Sequence, residues 1–311
     1  IILALMINMI TDPLFILGLT GMSICLISWI RFNINNEDVE PLVVKYISTI
    51  SLISGVALLL SIFYNSGDLG IVLLAGSIVA FIVMLIGYYF KNTEVTLTAR
   101  GYFIPVLLIF ILRTFIYEPY QIPSGSMEPQ LEKGDFLLVN KYAYGIKVNR
   151  IGMPNFLRAE PQYGDAVVLI PPHNPVPFIK RLIGKPGDTI RIINKQLYVN
   201  GKVLKRMPVK SEQIIIQKRK FTADLYSENH DSTEYVVRNI RGINKQAPQE
   251  WVVPEGHYFV MGDNRDNSND STKWDFAYVP RENFFGRADY LWMTWECWTC
   301  LPTFKKAGKV N

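Results

Sequence analysis

The sequence predicts membrane-spanning helices followed by a mostly β domain, and three observations predict it. Residues up to 117 are dominated by long uncharged apolar runs. Residues from 118 onward break into short β-branched and aromatic runs separated by turn residues. Between the two lies 120–135, where Ser124 and Ser126 flank Gly125 between Pro123 and Pro129. An apolar fraction of 49 % agrees with a membrane-embedded part. The net charge of +5 is scattered rather than clustered, so nucleic acid is not an expected partner. Three cysteines are too few for a disulfide framework.

Segments 13–30, 46–66 and 69–90 carry no charge, and 101–117 is interrupted only by Arg113 near its end. Each suits a helix crossing about 30 Å of hydrocarbon, which takes roughly 20 apolar residues. A long side chain such as Arg113 snorkels to the headgroups. No basic segment precedes Arg31, so the first run does not read as a cleaved signal sequence. Basic residues orient the spans: Arg31 and Lys45 follow the first, Lys91 and Arg100 follow the third, and the second loop at Gly67 and Asp68 has none. The N-terminus and everything after Tyr117 are therefore expected on the outer side.

Strands are expected at 136–140, 166–170, 189–193, 196–199 and 257–261. Asn200-Gly201 is a two-residue hairpin signal. Segment 205–249 is more polar, with strand patterns only at 213–217 and 234–238, and a plain loop of that length would be unusual. No long amphipathic helical pattern follows residue 118.

The junction carries the chemistry. Pro-Ser-Gly-Ser reads either as a solvated turn or as a rigid loop presenting Ser126, because prolines fix φ and glycine permits unusual backbone angles. A nucleophile must be held in attack geometry. His173, His230 and His257 lie outside the neighbouring motifs and read as surface or packing residues. Lys180, after Phe178 and Ile179, is either a surface lysine on a strand or a base whose burial disfavours the ammonium form. Segment 262–271 is dense in Asp, Asn and Ser, but Trp274 stands where an EF-hand would need its bidentate Glu. No metal or cofactor is expected. Cys297 and Cys300 are either free thiols or a structural bridge, and Cys25 packs within the first span.

Three motifs resemble one family: Ile122-Pro-Ser-Gly-Ser-Met127, Phe178-Ile-Lys-Arg-Leu-Ile-Gly-Lys-Pro-Gly-Asp188, and Met261-Gly-Asp-Asn-Arg-Asp-Asn-Ser-Asn-Asp-Ser271. In this order they are similar to the bacterial type I signal peptidases, serine proteases with a Ser/Lys dyad. The likeness runs with gaps from Arg113 to Ala288. It implies antiparallel barrel-like sheets forming a catalytic domain from 118–204 and 250–311, with 205–249 an inserted subdomain and 1–117 the membrane region. By the same likeness Ser126 is the nucleophile and Lys180 the general base. The Ser126 N–H and the Ser124 hydroxyl are the oxyanion donors, and Ser268 orients the lysine. Asp263 and Asp270 are structural supports with Arg181 as partner. Thr272 and Lys273 depart from the family's usual arginine there.

Tyr120, Ile122, Met127, Leu131, Leu137, Val168, Phe178 and Ile179 match substrate-pocket positions, although each reads equally as core packing. The implied substrates are secretory preproteins cut at small-x-small sites. The implied location is the inner (plasma) membrane, multi-pass, with the catalytic domain on the periplasmic face. Ser126 lies nine residues past Tyr117, which limits the extended chain between them to about 30 Å. Relatives typically carry fewer spans. Two rival readings differ in class. A transporter would need ionisable residues within the spans, where Arg113 alone occurs. A membrane-anchored peptide-binding β domain would keep the pockets but have no use for Lys180.

Overall fold

The computed structural model describes residues 11–64, 69–145, 159–174, 176–216, 218–243, 249–295, 297 and 299–310. The chain divides into two compact units, Ile1–Thr114 and Phe115–Asn311.

The first unit contains α1 (Pro13–Ile34), α2 (Pro41–Tyr64), α3 (Leu69–Tyr89) and α4 (Thr93–Ile111), the last continuing as a π-helical stretch Leu112–Ile116. Asp12 caps α1 by accepting the Leu14 N–H at 3.2 Å, with Pro13 at the first helical position, where its missing donor costs nothing. Asn92 caps α4 through the Val95 N–H at 2.9 Å. Helix α1 packs on α2 and α3 on α4. Small residues permit the close approach: Gly21 faces Ser54, and Gly87 faces Thr96. Apolar side chains such as Leu17, Ile27, Leu52 and Ile53 point outward, and four helices are long and apolar enough to cross a membrane.

Helix bounds differ from the apolar runs. Helix α2 begins at Pro41 and includes Lys45, and α4 begins at Thr93, so Arg100 is helical rather than in a loop. An uncharged run stops at the first charge, whereas a helix continues to its cap, here Asn92. Segment 65–68, with Gly67 and Asp68, lies outside the described residues.

The second unit is built from antiparallel strands. The first seven are β1 (Tyr117–Gln121), β2 (Asp135–Asn140), β3 (Ala166–Leu169), β4 (Phe178–Gly184), β5 (Thr189–Ile193), β6 (Gln196–Val199) and β7 (Lys202–Val203). The rest are β8 (Arg206–Ile216), β9 (Arg219–His230), β10 (Thr233–Ile240), β11 (Gln249–Val252), β12 (His257–Met261), β13 (Val279–Pro280), β14 (Phe284–Thr294) and β15 (Gly308–Lys309). The main sheet runs β1-β2-β14-β3-β4-β12-β13, with β15 added to β14. Register shifts along β14 bend this long strand and curl the sheet. Strands β3 and β4 alternate between two cores. Ala166, Val168 and Ile179 enter one, with Ile122, Met127 and Leu137. Val167, Leu169, Phe178 and Leu182 enter the other, with Tyr258 and Trp274.

A four-stranded sheet, β11-β5-β6-β7, contains the expected hairpin. Asn200 and Gly201 both have positive φ, at 52° and 75°, as a type I′ turn requires. The third sheet, β10-β9-β8, occupies most of 205–249. Its middle strand β9 was not expected, because its buried positions pass from Ala223 and Leu225 to polar Glu228 and His230, which cuts the apolar alternation short. Strand β1 contains Pro119, and β4 carries Lys180-Arg181 at its centre, so neither shows a simple apolar period. Gln217, the end of one expected strand, lies outside the described residues. Cys297 and Cys300 form a disulfide, and Cys25 is buried in α1.

Candidate active site

Ser126 sits in a single 3-10 turn, Gly125–Met127, that follows the extended Ser124. Strand β4 brings Lys180 against it: Nζ lies 2.8 Å from Ser126 Oγ. The amine also donates to the Ile179 carbonyl at 2.9 Å. Ser126 is 8 % exposed and Lys180 3 %. Burial lowers the lysine pKa from 10.5 to about 8, while the negative charges of Asp270 and Asp263 pull the other way. A repulsive push from Arg181 is not the cause, since that guanidinium is turned to its own acceptors.

Arg181 is fully buried and binds Asp263 with two bonds, Nε to Oδ1 at 3.1 Å and Nη2 to Oδ2 at 2.6 Å. It also donates to the Gly164 carbonyl at 2.7 Å and to Gln130 at 2.8 Å, and lies over the Tyr235 ring at 4.2 Å. Every hydrogen-bonding edge is thus engaged, as a buried charge requires. Asp270 does not share this arginine. It accepts the Gly262 N–H at 2.9 Å, the Thr272 N–H at 3.1 Å and the Thr272 hydroxyl at 2.7 Å. Thr272 and Lys273 have their own uses in this turn, since Lys273 donates to the Ser268 carbonyl.

The segment after β12 clamps the Ser126 turn. The Asn264 N–H donates to the Ser126 carbonyl, and Asn264 Nδ2 to the Gly125 carbonyl, both at 3.0 Å. Gly262 lies so close that a Cβ there would sit 2.3 Å from Ser268 Oγ and 2.5 Å from the Ser126 carbonyl oxygen. Ser268 is buried near the Ser126 turn, but its Oγ has no hydrogen-bond partner among the described residues. The bond to Lys180 implied by the family likeness is not formed, because Nζ is directed to Ser126 Oγ and the Ile179 carbonyl. Ser124 is exposed, and its Oγ lies 3.5 Å from Ser126 Oγ.

Of the expected pocket residues, Ile122, Met127, Leu131, Leu137 and Val168 form one buried cluster, with Tyr120 and Ile179 half-buried at its edge. Phe178 departs from this group. It lies on the same strand face as Leu182 and packs towards Trp274 and His173, although its ring centroid is 5.2 Å from Lys180 Nζ. Of the histidines, His230 is held neutral to about pH 4, chiefly by burial, and stacks on Tyr163.

Four participants were not foreseen: Asn264, Gln130, Glu128 and Arg238. Glu128 folds back over Gly125, where its Oε1 would lie 2.6 Å from a Cβ. Gly125 thus leaves room for this close approach and has no left-handed φ, and a Cβ there would meet only the far end of the flexible Glu128 side chain. Arg238 of β10 holds that carboxylate. The sequence signals were the place of Asn264 inside the third motif and the charge at 128, immediately after the first.

The sequence profile of the family described as signal peptidase, peptidase S26, matches residues 72–295. The chain belongs to the signal peptidase I family. The signal peptidase I of Pseudomonas aeruginosa is 40 % identical over 235 residues, 71 % of this chain and 81 % of that protein. That of Haemophilus influenzae is 36 % identical over 239 residues, 62 % of this chain and 68 % of that protein. That of Rickettsia massiliae is 36 % identical over 223 residues, 66 % of this chain and 82 % of that protein. The predicted enzyme class, a peptidase and hydrolase, is borne out. The family profile begins within α3, so α1 and α2 precede the shared region.

Proposed function

We propose that the protein is a membrane-anchored serine endopeptidase that removes signal peptides from exported preproteins through a Ser126/Lys180 dyad. The observation that carries this reading is the 2.8 Å approach of Lys180 Nζ to Ser126 Oγ with both side chains buried. A lysine lowered to about 8 is neutral in a useful fraction near pH 7–8 and can act as a base.

The steps follow from that geometry. Neutral Lys180 takes the Ser126 proton as Oγ bonds to the scissile carbonyl carbon. The oxyanion is stabilised by the Ser126 N–H and the Ser124 hydroxyl. The tetrahedral intermediate collapses, the Lys180 ammonium protonates the departing amine of the mature protein, and an acyl-enzyme remains. Lys180 then takes a proton from water, whose hydroxyl attacks the ester carbonyl, and as the acyl bond breaks the Lys180 ammonium returns a proton to Ser126 Oγ, releasing the signal peptide and free Ser126. Ser268, packed between Gly262 and the dyad, turns its hydroxyl to the amine once Nζ leaves Ser126. Arg181 with Asp263, and Asp270 through its backbone bonds, keep the turn and β4 in register.

The small-x-small preference is assigned to the cluster of Ile122, Met127, Leu131, Leu137 and Val168, entered at Tyr120 and Ile179. A largely filled core leaves room only for short side chains. Phe178 borders the amine and not this pocket. The catalytic domain is assigned to 118–204 and 250–311, with 205–249 inserted. The helices anchor it in the inner membrane as a multi-pass protein with the domain on the periplasmic face, where preproteins emerge.

The test is cleavage of a preprotein with an Ala-x-Ala site by full-length wild type, Ser126→Ala and Lys180→Ala in detergent. Cleavage after the site by wild type, and a loss of about 10⁴-fold or more in both variants, is the expected result. A Lys180→Ala variant that cuts normally would put the base elsewhere.

A further inference from the structure

The segment between the second and third motifs reaches the nucleophile turn through Arg238, and none of the motifs accounts for this contact. Arg238 lies on β10, and its backbone is bonded into the third motif: its N–H donates to the Asp263 carbonyl at 2.9 Å, and its carbonyl accepts the Arg265 N–H at 3.0 Å. The residue between those two, Asn264, holds the Gly125 and Ser126 carbonyls. The side chain of Arg238 reaches the same turn from above. Its Nη1 binds Glu128 at 2.5 Å and its Nη2 binds Glu212 of β8 at 2.6 Å, with the arginine side chain 11 % exposed. Glu128 in turn lies against Gly125, within the turn that contains Ser126.

We propose that Glu128 and Arg238 are a positioning pair for the nucleophile, fixing the Ser126 turn and neutralising a carboxylate beside the forming oxyanion. Two physical arguments support it. The pair braces the turn between motif and sheet, and an error of about 1 Å in an attacking atom costs about 10²-fold in rate. Secondly, an uncompensated carboxylate next to Gly125 would oppose the negative charge that develops on the substrate carbonyl oxygen. Such opposition grows as water is excluded, and because the Glu128 side chain is 28 % exposed it adds to the bracing and does not replace it. Arg238 removes it. The 205–249 segment thereby contributes to turnover as well as to fold.

The inference rests on the Ser126/Lys180 reading, and the experiment separates the two. Steady-state cleavage of the Ala-x-Ala preprotein is measured in detergent for wild type, Glu128→Gln, Arg238→Ala, the double variant and Ser126→Ala, with Tm recorded for each. Arg238→Ala is expected to lose about 10²-fold in kcat with KM unchanged. Glu128→Gln keeps the shape of the contact without the charge and is expected to lose less. The double variant is expected to recover part of the Arg238→Ala loss, because the offending carboxylate is gone while the brace is still missing. A double variant whose loss is the product of the two single losses overturns the proposal, as does wild-type kcat in Arg238→Ala or Glu128→Gln. Losses that track Tm, with no recovery in the double variant, reduce the pair to a structural contact and also overturn it. Activity surviving in Ser126→Ala would instead refute the dyad reading itself.

Discussion

In the proposed dyad, Lys180 sets both activity and its cost. Its amine must be neutral to accept the Ser126 proton, and burial brings its pKa to about 8. Activity is therefore expected to rise with pH through about 8 and to level off above it, which a kcat/KM profile in detergent would report. A flat profile between pH 6 and about 9 would contradict the base assignment. Stability follows the same group. Below about 8 the amine is protonated in both states, so the folded protein bears the full cost of burying an ammonium. Between about 8 and 10.5 the unfolded chain holds a proton that the folded one has released, so stability rises with pH across that window. The cost is about 3 kcal/mol. Lys180→Met, losing about 1 kcal/mol of hydrogen bonding, is expected to gain about 2 kcal/mol at pH 7 while losing activity. A Tm no higher than wild type would count against the burial argument. At this scale Ser126 and Lys180 were legible because each sits inside a distinctive motif. The Glu128–Arg238 contact was not, since its partners are 110 residues apart and a lone charge after a motif specifies no partner.

Strand β4 carries alternating duties. Phe178, Lys180 and Leu182 point one way, while Ile179 and Arg181 point the other, so one short strand supplies the proposed base and the buried guanidinium beside it. Asp263→Ala would strand Arg181 with its main counter-charge gone and is expected to cost about 3–5 kcal/mol in urea unfolding. Asp270→Asn, which weakens hydrogen bonds without stranding a charge, is expected to cost about 1–3 kcal/mol. Equal effects from the two would contradict the distinct roles described for them. Strands that alternate cleanly or consist of β-branched runs, such as β3, β5 and β6, could be read in advance. Strands β1, β4 and β9 could not. Their polar positions are satisfied by partners distant in sequence, and a local pattern records the polarity without the partner. Phe178 packs apart from the other expected pocket residues, and its position in a motif does not tell which face of β4 it occupies.

The whole chain joins an apolar helical unit to a β unit, and this division was legible from charge distribution alone. Helix ends were less so, because apolar runs terminate at charges while helices terminate at caps. The proposed orientation predicts the labelling of engineered cysteines in intact cells by a membrane-impermeant maleimide. Glu255→Cys in the β unit is expected to react, and Asp38→Cys between α1 and α2 to be protected until the membrane is opened. The native background is low, since Cys25 is buried and Cys297 and Cys300 are joined. Reaction at Asp38→Cys in sealed cells would reverse the assignment.

The contact at Gly262 bears on how this enzyme would evolve under an inhibitor. Any side chain at 262 would collide with the backbone carbonyl of Ser126 as well as with Ser268. Backbone cannot swing aside as a flexible side chain can. A compound that leans on this contact would therefore meet a surface on which resistance by substitution at 262 carries the loss of the nucleophile's own geometry. Escape would have to arise elsewhere, and the more tolerant rim at Tyr120 and Ile179 is where resistant alleles would be sought.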